Sequence, residues 1–490
     1  MRNAGLGSWP HRRARMAPKR EAFSYDGVST TYEEVAVRTT KLARRLEELG
    51  VRPGDRVSYL GANHPSFAET MFATHQLGAI FVPLNFRLSP AEINYQLADC
   101  GARVLIHAPS HQVEHERAIS LDSYEDWLAG GSEEPLDVPV TIDEPALILY
   151  TSGTTGRPKG AVLSHANLLW NTFNLMIGVD VTTDDIALVA APLFHVAALT
   201  QTLLPTFIKG GHSVITPRWD VDECLNLIEG YGVTWMFGVS TMYADLAASP
   251  RWPTADLSAL RVLLCGGASV PDAVIHTYQE RGLVFCQGYG LTETAPGATF
   301  LEAADSVRKA GSAGTPVFFT DVRLADTGEI EVQGPNVTPG YWNDPVATAA
   351  AFTEDGWFRT GDIGRLDDGH LYVVDRLKDM FISGGENVYP AEVENAITDH
   401  PDVAEVAVVG VPDERWGEVG RAFVRPRAGA AVDAAGLREF LLPRLAKYKI
   451  PVHVEVVTEL PRTGSGKVLK PALRRLPLAP AVSPENAPGR

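Results

Sequence analysis

The chain has 490 residues, 45% of them hydrophobic, with 43 Lys and Arg against 60 Asp and Glu for a formal charge of −17. This length exceeds one ordinary core and implies two or more domains, and the acidic balance argues against nucleic acid as a main partner. Cys100, Cys224, Cys265 and Cys286 lie far apart with no CxxC pair, which argues against a disulfide scaffold and fits a reducing cytoplasm.

The opening "MRNAGLGSWPHRRARM" is Arg-rich but has no apolar stretch of the signal-peptide kind, so it reads as a solvated first helix. Its arginines are the only sequence basis for a peripheral membrane contact. The longest apolar run, 186–199, is cut by Pro192 and His195, so no membrane-spanning helix is expected. From about 30 to 290, strand-like runs alternate with amphipathic ones: "RVSYLG", "PSFAETMFATHQLG", "AIFVPLN", "SPAEINYQLADCG", "RVLIH", and later "DECLNLIEGYG", "VTWMFG", "SALRVLLCGG", "VPDAVIHTYQERG" and "LVFCQGYG". That order predicts an α/β class with mostly parallel, layered sheets and helices on their faces. Between about 310 and 375, "DVRL", "GEIEVQG" and "HLYVVD" with Gly-rich turns predict a small β subdomain. After "DRLKD", two helical and several strand-like segments predict a compact α+β C-terminal domain. The expected division is a large domain over 1–376, a hinge at 377–379, a mobile domain over 380–475 and a disordered tail over 476–490.

The segment "YTSGTTGRPKG", 150–160, follows a buried-strand pattern and concentrates donors: Thr151, Ser152, Thr154 and Thr155 offer hydroxyls, Gly153 and Gly156 allow close backbone approach, and Lys159 adds charge. Such a loop suits a polyanion. Neither "GTTGRPKG" nor "TGSGKVLK" satisfies GxxxxGK[ST], because position 461 is Pro and Lys467 is followed by Val468. "GYGLTE" fails the dinucleotide fingerprint because Glu293 stands where the third glycine belongs. "HQVEH", 111–115, spells an inverted zinc-protease pattern but lies in a polar stretch beside an irregular acidic segment, so no metal role is assigned to it.

"YTSGTTGRPKG", "QGYGLTET", "WFRTGD", "DRLKDMFISGGENVYP" and "PRTGSGK" occur in the order and approximate spacing of the adenylate-forming enzymes. Over roughly 20–470 the chain resembles their acyl-CoA synthetase branch, and within it the fatty acyl-CoA ligases. The resemblance implies that 151–156 with Lys159 close over the β- and γ-phosphates of ATP, and that Gly266, Gly267 and Ala268 wall the adenine. It implies further that Gln287, Gly288 and Tyr289 lie against the nucleotide, that Thr292 meets the α-phosphate and that Glu293 holds Mg²⁺, for which a carboxylate is a sound ligand. Asp362 and Arg376 match ribose contacts, a carboxylate being able to accept from both vicinal hydroxyls; Asn387 is placed with the nucleotide as well. Lys378 matches the hinge. Gly384 and Gly385 match the coenzyme A tunnel, and Lys467 matches the lysine bridging the substrate carboxylate and the α-phosphate. His195 and Gly290 match the acyl pocket, His195 as a gate and Gly290 as an open floor.

The implied reaction is ATP-dependent, AMP-forming activation of a carboxylic acid through an acyl-adenylate, followed by transfer to coenzyme A. A medium- or long-chain fatty acid ranks first as substrate, an aryl or cinnamate-type acid second, and loading of a carrier protein third. The run "HVAALT" after His195 has no Arg for a second carboxylate, which argues against malonate-like diacids. A nucleotide-binding regulator without turnover is the non-enzymatic alternative, disfavoured by the joint presence of Lys467, Glu293 and Asp362.

Overall fold

The protein is described here by a computed structural model that covers residues 2–111, 113–151, 158–267, 270–376, 379–383, 386–413, 415–462 and 468–477, with the backbone alone for Arg376 and Asn387. The chain divides into two units, 1–360 with 364–373, and 361–363 with 374–490.

The first unit is built on two large sheets rather than one. The nine-stranded sheet runs in the order Thr315–Pro316, Thr299–Phe300, Phe285–Tyr289, Val262–Gly266, Trp235–Gly238, Ile186–Val189, His212–Ile215, Glu21–Tyr25, Val28–Thr31. Its six central strands from Phe285–Tyr289 to Glu21–Tyr25 are joined by five consecutive parallel pairings. The seven-stranded sheet runs Gly340–Tyr341, Lys159–Ser164, Pro145–Thr151, Ile80–Leu84, Arg56–Leu60, Ala102–His107, Ala118–Ser120. Its first two pairings are antiparallel and the rest parallel. Strands buried on both faces read as near-continuous apolar runs, which is why "IFVPL" and "VLLCG" carry no alternation.

The helices between strands begin and end on local chemistry. Ser89 and Glu92 form a reciprocal capping box for Pro90–Cys100, and Gly101 ends that helix at φ 60°. Thr31 and Glu34 do the same for Tyr32–Glu48. Helix Pro65–Gln76 is buried from Ser66 to Gln76, so its polar groups need partners. Glu69, 1% exposed, takes Arg38 Nε at 2.5 Å and the Tyr124 hydroxyl at 2.7 Å. His75 shares its Nε2 proton with the Ala146 carbonyl at 2.9 Å, and its ring meets His165 edge-on at 4.8 Å.

The four-stranded sheet Asp321–Leu324, Glu329–Gln333, Phe358–Asp367, His370–Arg376 occupies the stretch predicted as a β subdomain. The second unit carries its own sheet of Glu386–Val388, Phe381–Ser383, Gly417–Pro426 and Val403–Asp413, with His453–Val456 beside Gly417–Pro426. Its helices Pro390–Thr398 and Ala434–Leu441 bury Val393, Ile397, Leu437 and Leu441 in a separate core with Phe381 and Val424. The α/β class with a small α+β unit is the one expected from sequence. Among the described residues no helix is long and apolar enough to cross a membrane.

Candidate active site

Four neighbouring parallel strands, Ile186–Val189, Trp235–Gly238, Val262–Gly266 and Phe285–Tyr289, end at the same edge of the nine-stranded sheet. The carboxyl ends of parallel strands are where α/β folds bind ligands. Register sets Gly238 opposite Cys265 and Gly266 opposite Gly288. A Cβ on Gly266 would lie 3.2 Å from the Gly288 carbonyl oxygen and 3.4 Å from the Phe237 ring. Glycine therefore leaves these strand ends as bare backbone, walled by Phe237. Gln287 is 8% exposed, and among the described residues its buried Nε2 has no hydrogen-bond partner.

Residues 290–297 leave the sheet in a tightly held turn. Thr294 Oγ1 accepts from Leu291 N at 2.9 Å and donates to Pro296 O at 2.6 Å. Asn336 Nδ2 donates to Thr294 O and Gly297 O, both at 2.7 Å, and Asn171 Oδ1 accepts from Gly297 N at 3.0 Å. Ala295 sits at φ 62°, a conformation that L-residues hold only when their surroundings impose it. A Cβ on Gly290 would lie 1.4 Å from Pro296 O. This corrects the open-floor reading of Gly290: the main chain itself requires glycine there, so its smallness carries no information about acyl length.

Glu293 is 8% exposed and accepts the Tyr341 hydroxyl at 2.9 Å. Burial and the Glu293 carboxylate raise the Tyr341 pKa, so its hydroxyl remains a donor at neutral pH. Tyr341 pairs with Ala161 on strand Lys159–Ser164, and the Lys159 ammonium lies 5.4 Å from the Tyr341 ring centroid. Thr338 N donates to Glu293 O at 2.7 Å. A lysine, a tyrosine and a carboxylate from three chain segments thus converge, and a buried carboxylate oxygen suits a hard cation such as Mg²⁺. The hairpin strands Pro145–Thr151 and Lys159–Ser164 place Thr151 opposite Lys159. Tyr150 anchors the first of them, its hydroxyl donating to Asp99 Oδ2 at 2.6 Å.

His195 caps the helix beginning at Val196. Its ring lies 4.4 Å from that of Phe194, tilted by 48°, and Phe194 in turn meets Phe86 edge-on at 5.2 Å. Buried Asn63 pins this turn, accepting from Leu193 N and donating to Ala191 O. Asp362, 5% exposed, lies on strand Phe358–Asp367. Asn63, Asn171, Asn336 and Tyr341 escaped the sequence reading, since none of them belongs to a motif.

Ser152, Gly153, Thr154, Thr155, Gly156, Ala268, Lys378, Gly384, Gly385 and Lys467 lie outside the described residues, as do the side chains of Arg376 and Asn387 and the tail from 478.

The AMP-binding enzyme family matches residues 10–342, and the AMP-binding enzyme C-terminal domain matches 392–467. The chain belongs to the AMP-binding enzymes. This AMP-binding enzyme is 52% identical to a feruloyl-CoA synthase of Amycolatopsis sp over 97% of its length and 99% of the relative. It is 42% identical to an indoleacetate–CoA ligase of Aromatoleum aromaticum over 96% and 98% of the two chains. With a long-chain-fatty-acid–CoA ligase of Mycobacterium tuberculosis the identity is 38%, over 96% and 98%. Among solved structures it superposes on o-succinylbenzoate CoA synthetase from Bacillus subtilis with its acyl-adenylate (TM-score 0.89, 34% identity, 96% and 98% covered). The same enzyme with ATP and magnesium ion gives a TM-score of 0.87 at 34% identity, over 95% and 99%. This AMP-binding enzyme is an acyl-CoA synthetase: an ATP-dependent, AMP-forming acid–CoA ligase, with Mg²⁺ as cofactor and coenzyme A as co-substrate.

Proposed function

We propose that the chain activates an aryl acid of the hydroxycinnamate kind and transfers it to coenzyme A. The 52% identity to a feruloyl-CoA synthase carries this reading. The indoleacetate ligase, second among the relatives named, also takes an aromatic acid by its name. The fatty-acyl reading that ranked first on sequence gives way to the aryl alternative, because the long-chain relative is more distant at 38%.

In the proposed mechanism a carboxylate oxygen attacks the α-phosphorus of ATP, the bond to the β-phosphate oxygen breaks, and pyrophosphate leaves. The thiolate of coenzyme A then attacks the acyl carbon and AMP departs. Thr151, the loop 152–156 and Lys159 hold the β- and γ-phosphates. Thr292 meets the α-phosphate, Tyr289 with Gly266 and Gly267 lies on the adenine, and Asp362 with Arg376 holds the ribose. Glu293 would ligate Mg²⁺, which when bound neutralises phosphate charge. Lys467 screens the two anions that must approach each other, so its contribution is electrostatic positioning. His195 borders the acyl group. A cytoplasmic location belongs to the same proposal, supported by four buried, free thiols.

The test is ATP/pyrophosphate exchange with ferulate, 4-hydroxycinnamate, indoleacetate and decanoate, with thioesters identified by mass. Exchange confined to decanoate refutes the aryl reading. Lys467→Ala is expected to abolish exchange while sparing thioester formation from supplied acyl-adenylate; normal exchange in that variant removes Lys467 from the first step.

A further inference from the structure

The helix that follows His195 is interrupted by a π-helical turn, Leu199–Leu203. Such turns are rare and concentrate at functional sites, because they push one side chain out of its regular register. All five residues of this turn are buried. Thr200 bonds back to Val196 O at 2.8 Å, and Thr206, one turn on, bonds to Thr202 O at 2.7 Å. Gln201 is the exception. It is 8% exposed, yet among the described residues neither end of its carboxamide has a hydrogen-bond partner. Unlike Gln287 Nε2 or Trp235 Nε1, its polar atoms are not sealed from solvent contact, so the amide borders open space rather than packed core. A Cβ on Gly297 would lie 3.4 Å from Gln201 Nε2, which sets the amide against the turn that follows Tyr289 and Glu293. Buried amides are normally satisfied by protein or ordered water, so this one is open to a partner from outside the chain. The neighbouring Asn171 shows the ordinary case: it accepts from Gly297 N and donates to Thr200 O.

We propose that Gln201 is a specificity residue that reads a hydrogen-bonding substituent on the acyl group, a hydroxyl or methoxy oxygen remote from the carboxylate. Its Oε1 accepts a phenolic proton, and its Nε2 donates to an ether or phenol oxygen. The inference rests on the aryl reading for its preferred substrate class, but the chemistry of the amide is independent of the ring. A site built to bond a hydroxyl rejects the analogue lacking it, because its own polar group is then left unpaired.

The experiment measures kcat/KM for two pairs, 4-hydroxycinnamate with cinnamate and 10-hydroxydecanoate with decanoate, in the full chain and in Gln201→Met. The wild type is expected to favour the hydroxylated member of the pair it uses, and the variant to lower that preference at least tenfold. The melting temperature of Gln201→Met should equal or exceed that of the wild type, since an unpaired polar group is replaced by an apolar one of similar length. Equal losses on both members of a pair, an unchanged preference, or a lowered melting temperature with no change in preference overturns the proposal. If only the alkanoate pair is used, the aryl reading fails and that pair decides the role of Gln201. Should Gln201→Met not fold, Gln201→Asn, which withdraws the amide by one methylene, must lower the same preference or the proposal falls.

Discussion

Acid should loosen this protein through a histidine that has no use for a second proton. His75 lies on the buried helix Pro65–Gln76, donates through Nε2 to Ala146 O, and has a buried Nδ1 without a partner among the described residues. Burial lowers its pKa from 6.5 to about 4. His165, in ring contact with it, is lowered for the same reason and further by His75. Because the folded pKa lies below the unfolded one, the unfolded chain binds the proton first as pH falls. Stability from the neutral ring is therefore complete above pH 6.5 and is lost as pH descends from 6.5 to about 4. At about 1.4 kcal/mol per pH unit, His75 alone costs roughly 2 kcal/mol by about pH 5 and roughly 3 kcal/mol in full. Urea unfolding of wild type and His75→Gln at a series of pH values from 7 to 4.5 reads the effect. Glutamine keeps an N–H donor but cannot titrate, so the variant should lose stability less steeply, narrowing the gap from wild type as pH falls. A difference between the two proteins that is constant with pH refutes the reasoning.

Replacing Tyr341 by Phe removes the hydroxyl from Glu293; a bond to a charged group is worth about 1.5–3 kcal/mol, so the Mg²⁺ concentration for half-maximal ATP/pyrophosphate exchange should rise at least several-fold. An unchanged Mg²⁺ dependence would separate Tyr341 from the site. Gly290→Ala should give a large fall in melting temperature or no folded protein, because its Cβ would coincide with Pro296 O, whereas Gly230→Ala, in a helix with nothing within 4 Å, should stabilise by up to about 1 kcal/mol. Equal melting temperatures for the two variants would contradict the geometry. Arg38→Leu strands the buried Glu69 carboxylate with only the Tyr124 hydroxyl and should cost about 3–5 kcal/mol, with partial recovery on adding Glu69→Leu; an additive double variant would refute the coupling.

Elements defined by neighbours in sequence were legible. "SPAEINYQLADCG" spells its helix completely, with Ser89 and Glu92 for the start and Gly101 for the end, and "GEIEVQG" yields the strand Glu329–Gln333 between turns. The division of the parallel strands into two sheets was not, because it depends on pairings such as Phe23 with Ser213 that no local pattern encodes. The site shows the same split. Thr151, Lys159, Tyr289 and Glu293 announce themselves as motif residues, whereas Tyr341 reaches Glu293 only through the pairing of its strand with Lys159–Ser164. Gly290 was singled out for the wrong reason, since the close approach of Pro296 O is a tertiary fact. Gln201 was hidden by its setting: one amide in an apolar run looks like an ordinary core substitution until its missing partners are seen.

The two sheets also divide the labour of the proposed site. Lys159 and Tyr341 belong to the seven-stranded sheet, while the glycine-tipped strand ends and the helix bearing His195 and Gln201 attach to the nine-stranded one. In the proposed site the grip on phosphate and the fit to the acid are thus rooted in different sheets, joined by the bond from Tyr341 to Glu293 and by Asn63, which ties the turn before His195 to the seven-stranded sheet. A lineage, or an engineer, can therefore exchange the residues around the π-helical turn and retune which acid is accepted while the phosphate grip stays fixed.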